Sequence, residues 1–327
     1  MARTPNHRRL GHLAAAAVLL PLAEAGFGSS SRTNIAVYWG TTIQTSLRAY
    51  NILLIHELYQ GKIPMARVSR EDIDICQSTY GKTIMLSIGG ATYTEGGFSS
   101  SSAAVTAADN VWAMFGPVQS GSTVNRPFGD AVVDGFDFDF ESSTQNMEAF
   151  ANELRSLMNQ TMDAGGKAYY LSAAPQCPYP DLADNDMLDG TVYFDWIQIQ
   201  FYNNYCGVNT FVVGDSSQPS YNFDTWNTWA NTVSANRNVK VLVGIPANTG
   251  AGSGYVTGST LEAVVEYSET FSSFGGIMMW DMSQLYENVG FLDEVVEYLG
   301  LGGSPSTAFL NCHIYYDYDG LCDWKCA

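Results

Sequence analysis

Thirty-three acidic side chains against 15 basic ones give this 327-residue chain a formal net charge of -18, which disfavours nucleic acid and anionic membrane surfaces as partners and leaves a neutral polymer unopposed. Only 15% of the residues are charged, 13% are aromatic and 31 are glycine, a composition suited to one large buried core rather than to a disordered or fibrous chain. There are four histidines, and His7 and His12 stand at the amino terminus, so no histidine-built metal centre is expected and no cofactor is called for.

The chain begins with Arg3, His7, Arg8 and Arg9, followed by an apolar run from Leu13 to Leu22 that is too short to span a membrane and by the small-x-small triplet Ala23-Glu24-Ala25. Residues 1–25 are therefore expected to be a signal peptide, with the mature chain starting near Gly26 and secreted to the extracellular space. Three arginines and one glutamate would leave with it, taking the formal charge from -18 to -20. No later stretch reaches about eighteen uninterrupted apolar residues, so no membrane anchor is expected.

Beyond the leader, short apolar runs alternate with helical patterns. Strands are expected at 34–40, 51–55, 83–88, 131–141, 168–173, 194–200, 239–244 and 276–279. The clearest helix covers 146–162, where Met147, Phe150, Ala151, Leu154, Leu157 and Met158 fall on one face, and Gly165-Gly166 ends it. Near-continuous apolar strands separated by helices imply a parallel sheet, and eight of them imply a closed barrel. The expected fold is thus α/β, a (β/α)8 TIM barrel over residues 26–303, shortened around its second strand. A tyrosine- and cysteine-rich tail, 304–327, is too short to fold alone without disulfides.

The fourth expected strand carries the chemistry. In Asp134-Gly135-Phe136-Asp137-Phe138-Asp139-Phe140-Glu141 acids and aromatics alternate with period two, so Asp137, Asp139 and Glu141 share one face and three phenylalanines the other. An acid run is more often a solvated edge or a set of oxygen ligands for a divalent cation. A solvated edge would not carry three phenylalanines behind it, and no metal is expected. Several carboxyls held close together in a poorly solvated place cannot all ionise, so a proton is retained, which is a way of making a general acid. Chemistry in such barrels gathers where the strands end. Gly89 and Gly90 at the end of the third strand would let a ligand approach the backbone, Gln200, Tyr202 and Asn203 after the sixth offer two amides and a phenol, and Trp280 after the eighth offers an indole face for a sugar ring.

The pattern DGxDxDxE resembles the signature of glycoside hydrolase family 18, the chitinases, and matches it at each fixed position. NIAVYWG, SIGGA, RPFGDAVVDGFDFDFE, YLSAAPQCPYPD, QFYNNYC, GIPA and MMWDMSQ follow the order found in the fungal and plant class III subgroup, from Asn34 to Gln284. The resemblance implies a chitinase that cuts β-1,4 links between N-acetylglucosamine units by a retaining, substrate-assisted route, with endo action expected. It implies Glu141 as proton donor, Asp139 as the residue that orients the substrate acetamide, Asp137 as the acid behind it and Tyr202 as the holder of the acetamide oxygen. Tyr38, Gly89, Gly90, Gln200, Asn203 and Trp280 would line the cleft. Chitin or its oligomers would be the partner of a monomeric chain, with neither nucleic acid nor membrane involved.

The resemblance also implies a disulfide between Cys177 and Cys206. It departs at Thr41, where the family usually has glutamine, and in a shortened segment between the first and third strands that lacks the cysteine expected near Tyr50; Cys76 resembles that residue's usual partner. Cys312, Cys322 and Cys326 belong to the tail, and one of them could pair with Cys76. Two other readings stand beside the chitinase: an endo-β-N-acetylglucosaminidase, which shares the motif, and a catalytically silent chitinase-like protein that binds sugar or inhibits another protein. Silent members typically lack the acid at the position of Glu141.

Overall fold

The computed structural model describes residues 26–39, 52–55 and 70–302, together with strands at Cys312–Tyr316 and Cys322–Cys326 near the carboxyl end. The leader expected at 1–25 lies outside the described residues.

Eight parallel strands form a closed barrel: β1 (Asn34–Trp39), β2 (Ile52–Ile55), β3 (Thr83–Gly90), β4 (Gly135–Phe140), β5 (Tyr170–Ala173), β6 (Trp196–Gln200), β7 (Lys240–Pro246) and β8 (Phe274–Trp280). Each pairs with the next, and β8 returns to β1 with Gly276 opposite Asn34. The second strand has only four residues, yet it runs parallel to both neighbours, with Ile52 facing Ala36 on one side and Thr83 on the other. The segments flanking it, 40–51 and 56–69, which include Thr41 and Tyr50, lie outside the described residues.

The fourth strand is shorter than its apolar run suggested. Residues 131–134 precede it: the Arg126 guanidinium takes the carbonyls of Ala113, Gly116 and Ala131, and Val133 N–H donates to Phe115 O in α2 (Ser101–Phe115), away from the sheet. Asp134 itself is a clamp at the strand's entrance. Its carboxylate accepts Ile84 N–H at 2.7 Å and Gln77 Nε2 at 2.8 Å, and pairs with Lys167 Nζ at 2.8 Å. At the next residue β4 crowds β5 so closely that a Cβ on Gly135 would fall on the carbonyl oxygen of Tyr170.

Period-two alternation then sorts β4 into two environments. Phe136 meets Trp112 of α2 (Ser101–Phe115), and Phe138 meets Phe150 of α3 (Met147–Asp163), at ring separations of 6.2 and 5.8 Å. The expected apolar face of α3 is buried apart from the half-buried Leu157, and Arg155 joins it by pairing with Asp195 at 2.6 Å. Gly165 and Gly166 close that helix by donating to the carbonyls of Met162 and Thr161. The remaining helices, α1 (Arg70–Ser78), α4 (Asn185–Leu188), α5 (Phe223–Thr232), α6 (Gly258–Glu269), α7 (Met282–Glu287) and α8 (Phe291–Tyr298), follow their strands in turn.

Inside the ring the barrel is filled by Tyr38, Met85, Trp196, Leu242 and Met278, so it is a packed core rather than a pore. Phe27 seals its lower end. Its ring lies 4.2 Å from Trp196 and 5.2 Å from Tyr170, and its N–H donates to Thr83 Oγ1, all three at the starts of their strands. In the tail, β9 (Cys312–Tyr316) and β10 (Cys322–Cys326) form an antiparallel pair that sets Cys326 opposite Cys312.

Candidate active site

The parallel register places Ser87 of β3, Asp137 of β4 and Ser172 of β5 at one level. Both hydroxyls reach the Asp137 carboxylate: Ser87 Oγ donates to Oδ2 at 2.7 Å and Ser172 Oγ to Oδ1 at 2.6 Å. Two more donors come from across the barrel, Tyr38 Oη to Oδ2 at 3.0 Å and Gln198 Nε2 to Oδ1 at 2.8 Å. The Gln198 amide is oriented for this by Trp196, whose indole N–H donates to Oε1 at 2.6 Å, leaving Nε2 to face Asp137 and the Tyr38 oxygen.

Asp137 is completely buried, and burial pushes its carboxyl up to about 6; the hydrogen bonds from Ser172, Ser87 and Tyr38 oppose that rise and the neighbouring Asp139 adds to it. A carboxyl poised there is half protonated in mildly acidic solution. The expectation that crowded acids on this strand retain a proton thus falls on Asp137.

Asp139, 2% exposed, lies two residues nearer the mouth. Gln200 Nε2 donates to its Oδ1 at 3.0 Å and to Ala174 O at 2.9 Å, so Gln200 braces the carboxyl. Tyr202 is buried beside it. Burial first, then Asp139, Glu141 and Asp281, raise the Tyr202 phenol well above its ordinary range, so it stays protonated and able to donate. Glu141 stands one residue beyond the strand, exposed. The general-acid role expected from the sequence asks for a desolvated carboxyl. In the structure Glu141 stands at the lip, open to solvent.

The cleft residues are placed unevenly. Tyr38 and the half-exposed Trp280 stand with their rings 5.2 Å apart. Gly89, at φ +123°, is packed against Asp139: a Cβ would fall on that residue's carbonyl oxygen. Gly90 sits opposite Phe140, and its carbonyl accepts Tyr93 N–H. Asn203 is exposed in the left-handed region, and its Oδ1 accepts Ser253 N–H at 2.7 Å, which ties the loop after β6 to the loop after β7. Cys177 and Cys206 are bonded, joining the loops after β5 and β6, while Cys76 is a free buried thiol whose pKa burial pushes up to about 12. The side chains of Cys312, Cys322 and Cys326 lie outside the described residues.

Sequence reasoning missed Ser87, Ser172 and Gln198 as partners of Asp137. The signal was available only in part, since each sits an even number of residues from a strand-end site residue on its own strand or its neighbour's register, but levels across a barrel need the pairing itself.

An eight-stranded α/β barrel whose fourth strand delivers three carboxyls toward its mouth defines the class, a barrel glycoside hydrolase. Comparison with known proteins carries this further. The model of Glycosyl hydrolases family 18 matches residues 65–255. Over 320 aligned positions the chain is 51% identical to Endochitinase 33 of Trichoderma harzianum, covering 88% of this chain and 98% of that protein. A Class III chitinase of Arthroderma benhamiae is 47% identical over 304 residues, 86% of this chain and 90% of that one. Among solved structures, the xylanase and alpha-amylase inhibitor protein from Scadoxus multiflorus is similar at TM-score 0.64 and 28% identity, covering 81% of this chain and 98% of that one. The ICChI chitinase from Ipomoea carnea is similar at TM-score 0.64 and 26% identity, covering 81% and 99%. The chain belongs to glycoside hydrolase family 18, among the fungal class III chitinases.

Proposed function

We propose that this protein is a secreted, monomeric chitinase that hydrolyses β-1,4 links between N-acetylglucosamine units. The observation that carries the reading is the graded row on β4, with Asp137 buried and fully hydrogen-bonded, Asp139 buried beside Tyr202, and Glu141 exposed at the mouth. Glu141 protonates the glycosidic oxygen. Asp139 turns the substrate's own acetamide oxygen toward the anomeric carbon and, with the Tyr202 phenol donating to that oxygen, stabilises the oxazolinium ion formed as the bond breaks. Asp137 supports Asp139 from behind. Water then adds from the face the leaving group occupied, Glu141 taking its proton, and two inversions give net retention without a glycosyl-enzyme ester. Tyr38, Gly89, Gly90, Gln200, Asn203 and Trp280 line or brace the cleft, and the catalytic domain spans 26–303 between a signal peptide and the tail.

The test is cleavage of a chitin oligomer by the purified mature chain, with the first product read by NMR. A β anomer is expected, and kcat should fall by roughly 10² to 10⁴ in Glu141→Gln. An initial α anomer, or full activity in that variant, overturns the mechanism. Likeness to the Scadoxus inhibitor at 28% identity keeps a silent, inhibitor-type reading in view. Retained Glu141 and 51% identity to an endochitinase weigh against it, and an intact chain that cleaves no oligomer would reinstate it.

A further inference from the structure

Glu141 stands one residue past the end of β4, yet the chain that carries it is clasped on both sides. The pairing of β3 with β4 runs out to Gly90 opposite Phe140, and a second contact follows further out, a parallel bridge between Gly97 and Gln145. There Gln145 N–H donates to Gly96 O at 3.0 Å and Phe98 N–H donates to Gln145 O at 2.8 Å. Asn146 Nδ2 adds a bond to Phe98 O at 2.7 Å. The loop between β3 and α2 thus holds the segment that follows Glu141 as β3 holds the segment that precedes it.

One residue of that loop joins the two clasps. Tyr93 is 6% exposed, and its N–H donates to Gly90 O at 2.9 Å. Its ring lies 5.0 Å from that of Phe140, the residue before Glu141. Its carbonyl accepts Ser142 Oγ at 2.9 Å, from the residue after Glu141. Its phenol oxygen accepts Gly97 N–H at 2.9 Å, which fixes the outer bridge. Neither Tyr93 nor Ser142 takes part in the reaction above.

We propose that Tyr93 is a positioning residue for the proton donor, gripping the backbone on either side of Glu141 so that its carboxyl meets the glycosidic oxygen. This rests on Glu141 being the acid. Asp137 and Asp139 are buried and take hydrogen bonds from other strands, whereas Glu141 is exposed at the lip, so the placement of its backbone bears directly on its aim. Misplacing a reacting group by about 1 Å can cost about 10²-fold in rate, and loosening one of several grips should cost part of that.

The experiment gives the mature chain two substrates, a chitin oligomer and a dinitrophenyl glycoside of the N-acetylglucosamine disaccharide. A sugar leaves only with a proton, whereas dinitrophenolate leaves without one, so a fault confined to the acid shows on the oligomer alone. The readout is kcat/KM, which covers the steps up to departure of the leaving group. Tyr93→Phe keeps the ring on Phe140 and removes the oxygen that accepts Gly97 N–H, and Ser142→Ala removes the other hydrogen bond. Each is expected to lower kcat/KM on the oligomer by roughly 5- to 20-fold and on the dinitrophenyl glycoside by less than about twofold. Equal losses on the two substrates assign Tyr93 a general structural role and overturn the proposal, as does an unchanged oligomer rate in both variants. Ser142→Ala leaves the buried ring in place and carries the test if circular dichroism shows Tyr93→Phe unfolded. Glu141→Gln separates the two failures: full activity on the oligomer sinks the mechanism, whereas an oligomer-specific loss there beside equal losses in Tyr93→Phe sinks only this inference.

Discussion

Replacing Tyr38 with Phe removes one hydroxyl and leaves the ring against Trp280. That hydroxyl donates to Asp137 Oδ2 at 3.0 Å and accepts from Gln198 Nε2 at 3.0 Å. Gln198 is not stranded by the change, since its Nε2 still reaches Asp137 Oδ1 at 2.8 Å, so the fold should survive. Asp137 loses one of four donors. A hydrogen bond to a charged acceptor contributes about 1.5 to 3 kcal/mol, and the lower figure corresponds to about one pK unit. The carboxyl, now held at about 6, should therefore rise toward about 7. If Asp137 supports Asp139 as a carboxylate, the ionised fraction at pH 6 falls from about a half to about a tenth, so kcat should drop about fivefold there and recover above about pH 8. The assay is the pH dependence of oligomer cleavage, with circular dichroism to confirm folding. An acid limb that does not move would refute a supporting role for the Asp137 carboxylate.

Three further outcomes follow from the same geometry. Gly89→Ala should destabilise by about 3 kcal/mol or more in urea unfolding, because the methyl meets the Asp139 carbonyl at φ +123°, and whatever activity remains should fall as Asp139 shifts. Breaking the Cys177–Cys206 bond, which spans 29 residues, should cost about 3 to 4 kcal/mol on the chain-entropy account; Cys206→Ser melting like the parent would contradict it. Asp137 carries a folded pKa of about 6 against an ordinary 3.8, so the folded chain binds the proton more tightly than the unfolded chain. Its contribution to stability therefore falls as pH rises from about 4 to about 6, by about 3 kcal/mol in all, and Asp137→Asn should flatten that part of the melting curve.

Much of the barrel was legible from periodicity. Phe136 and Phe138 lie against α2 and α3 while Asp137 and Asp139 face inward, as alternation demands, because period two leaves a strand no other way to bury both sets. The second strand was legible as a short apolar run although the chain around it is abbreviated, since four residues suffice to bond both neighbours. What was not legible depends on distant levels of the ring coinciding. Ser87 and Ser172 look like ordinary strand residues until the register sets them beside Asp137, and Gln198 gains its role only through Trp196, two residues away but on the same inward row. Asn203 reads from the sequence as an amide beside Tyr202, and only the structure adds that its backbone is left-handed and its oxygen accepts Ser253 N–H.

The floor under the barrel bears on the order in which the chain can assemble. Phe27 is among the earliest described residues, yet its partners are Thr83, Tyr170 and Trp196, and its N–H bond to the Thr83 hydroxyl alone closes a separation of 56 residues. During synthesis this residue precedes the strands that hold it, so its packing waits until β6 has been made. Closing so long a loop is entropically slow, and it comes after local pairing. Phe27 thus takes its place only after residues far along the chain have taken theirs.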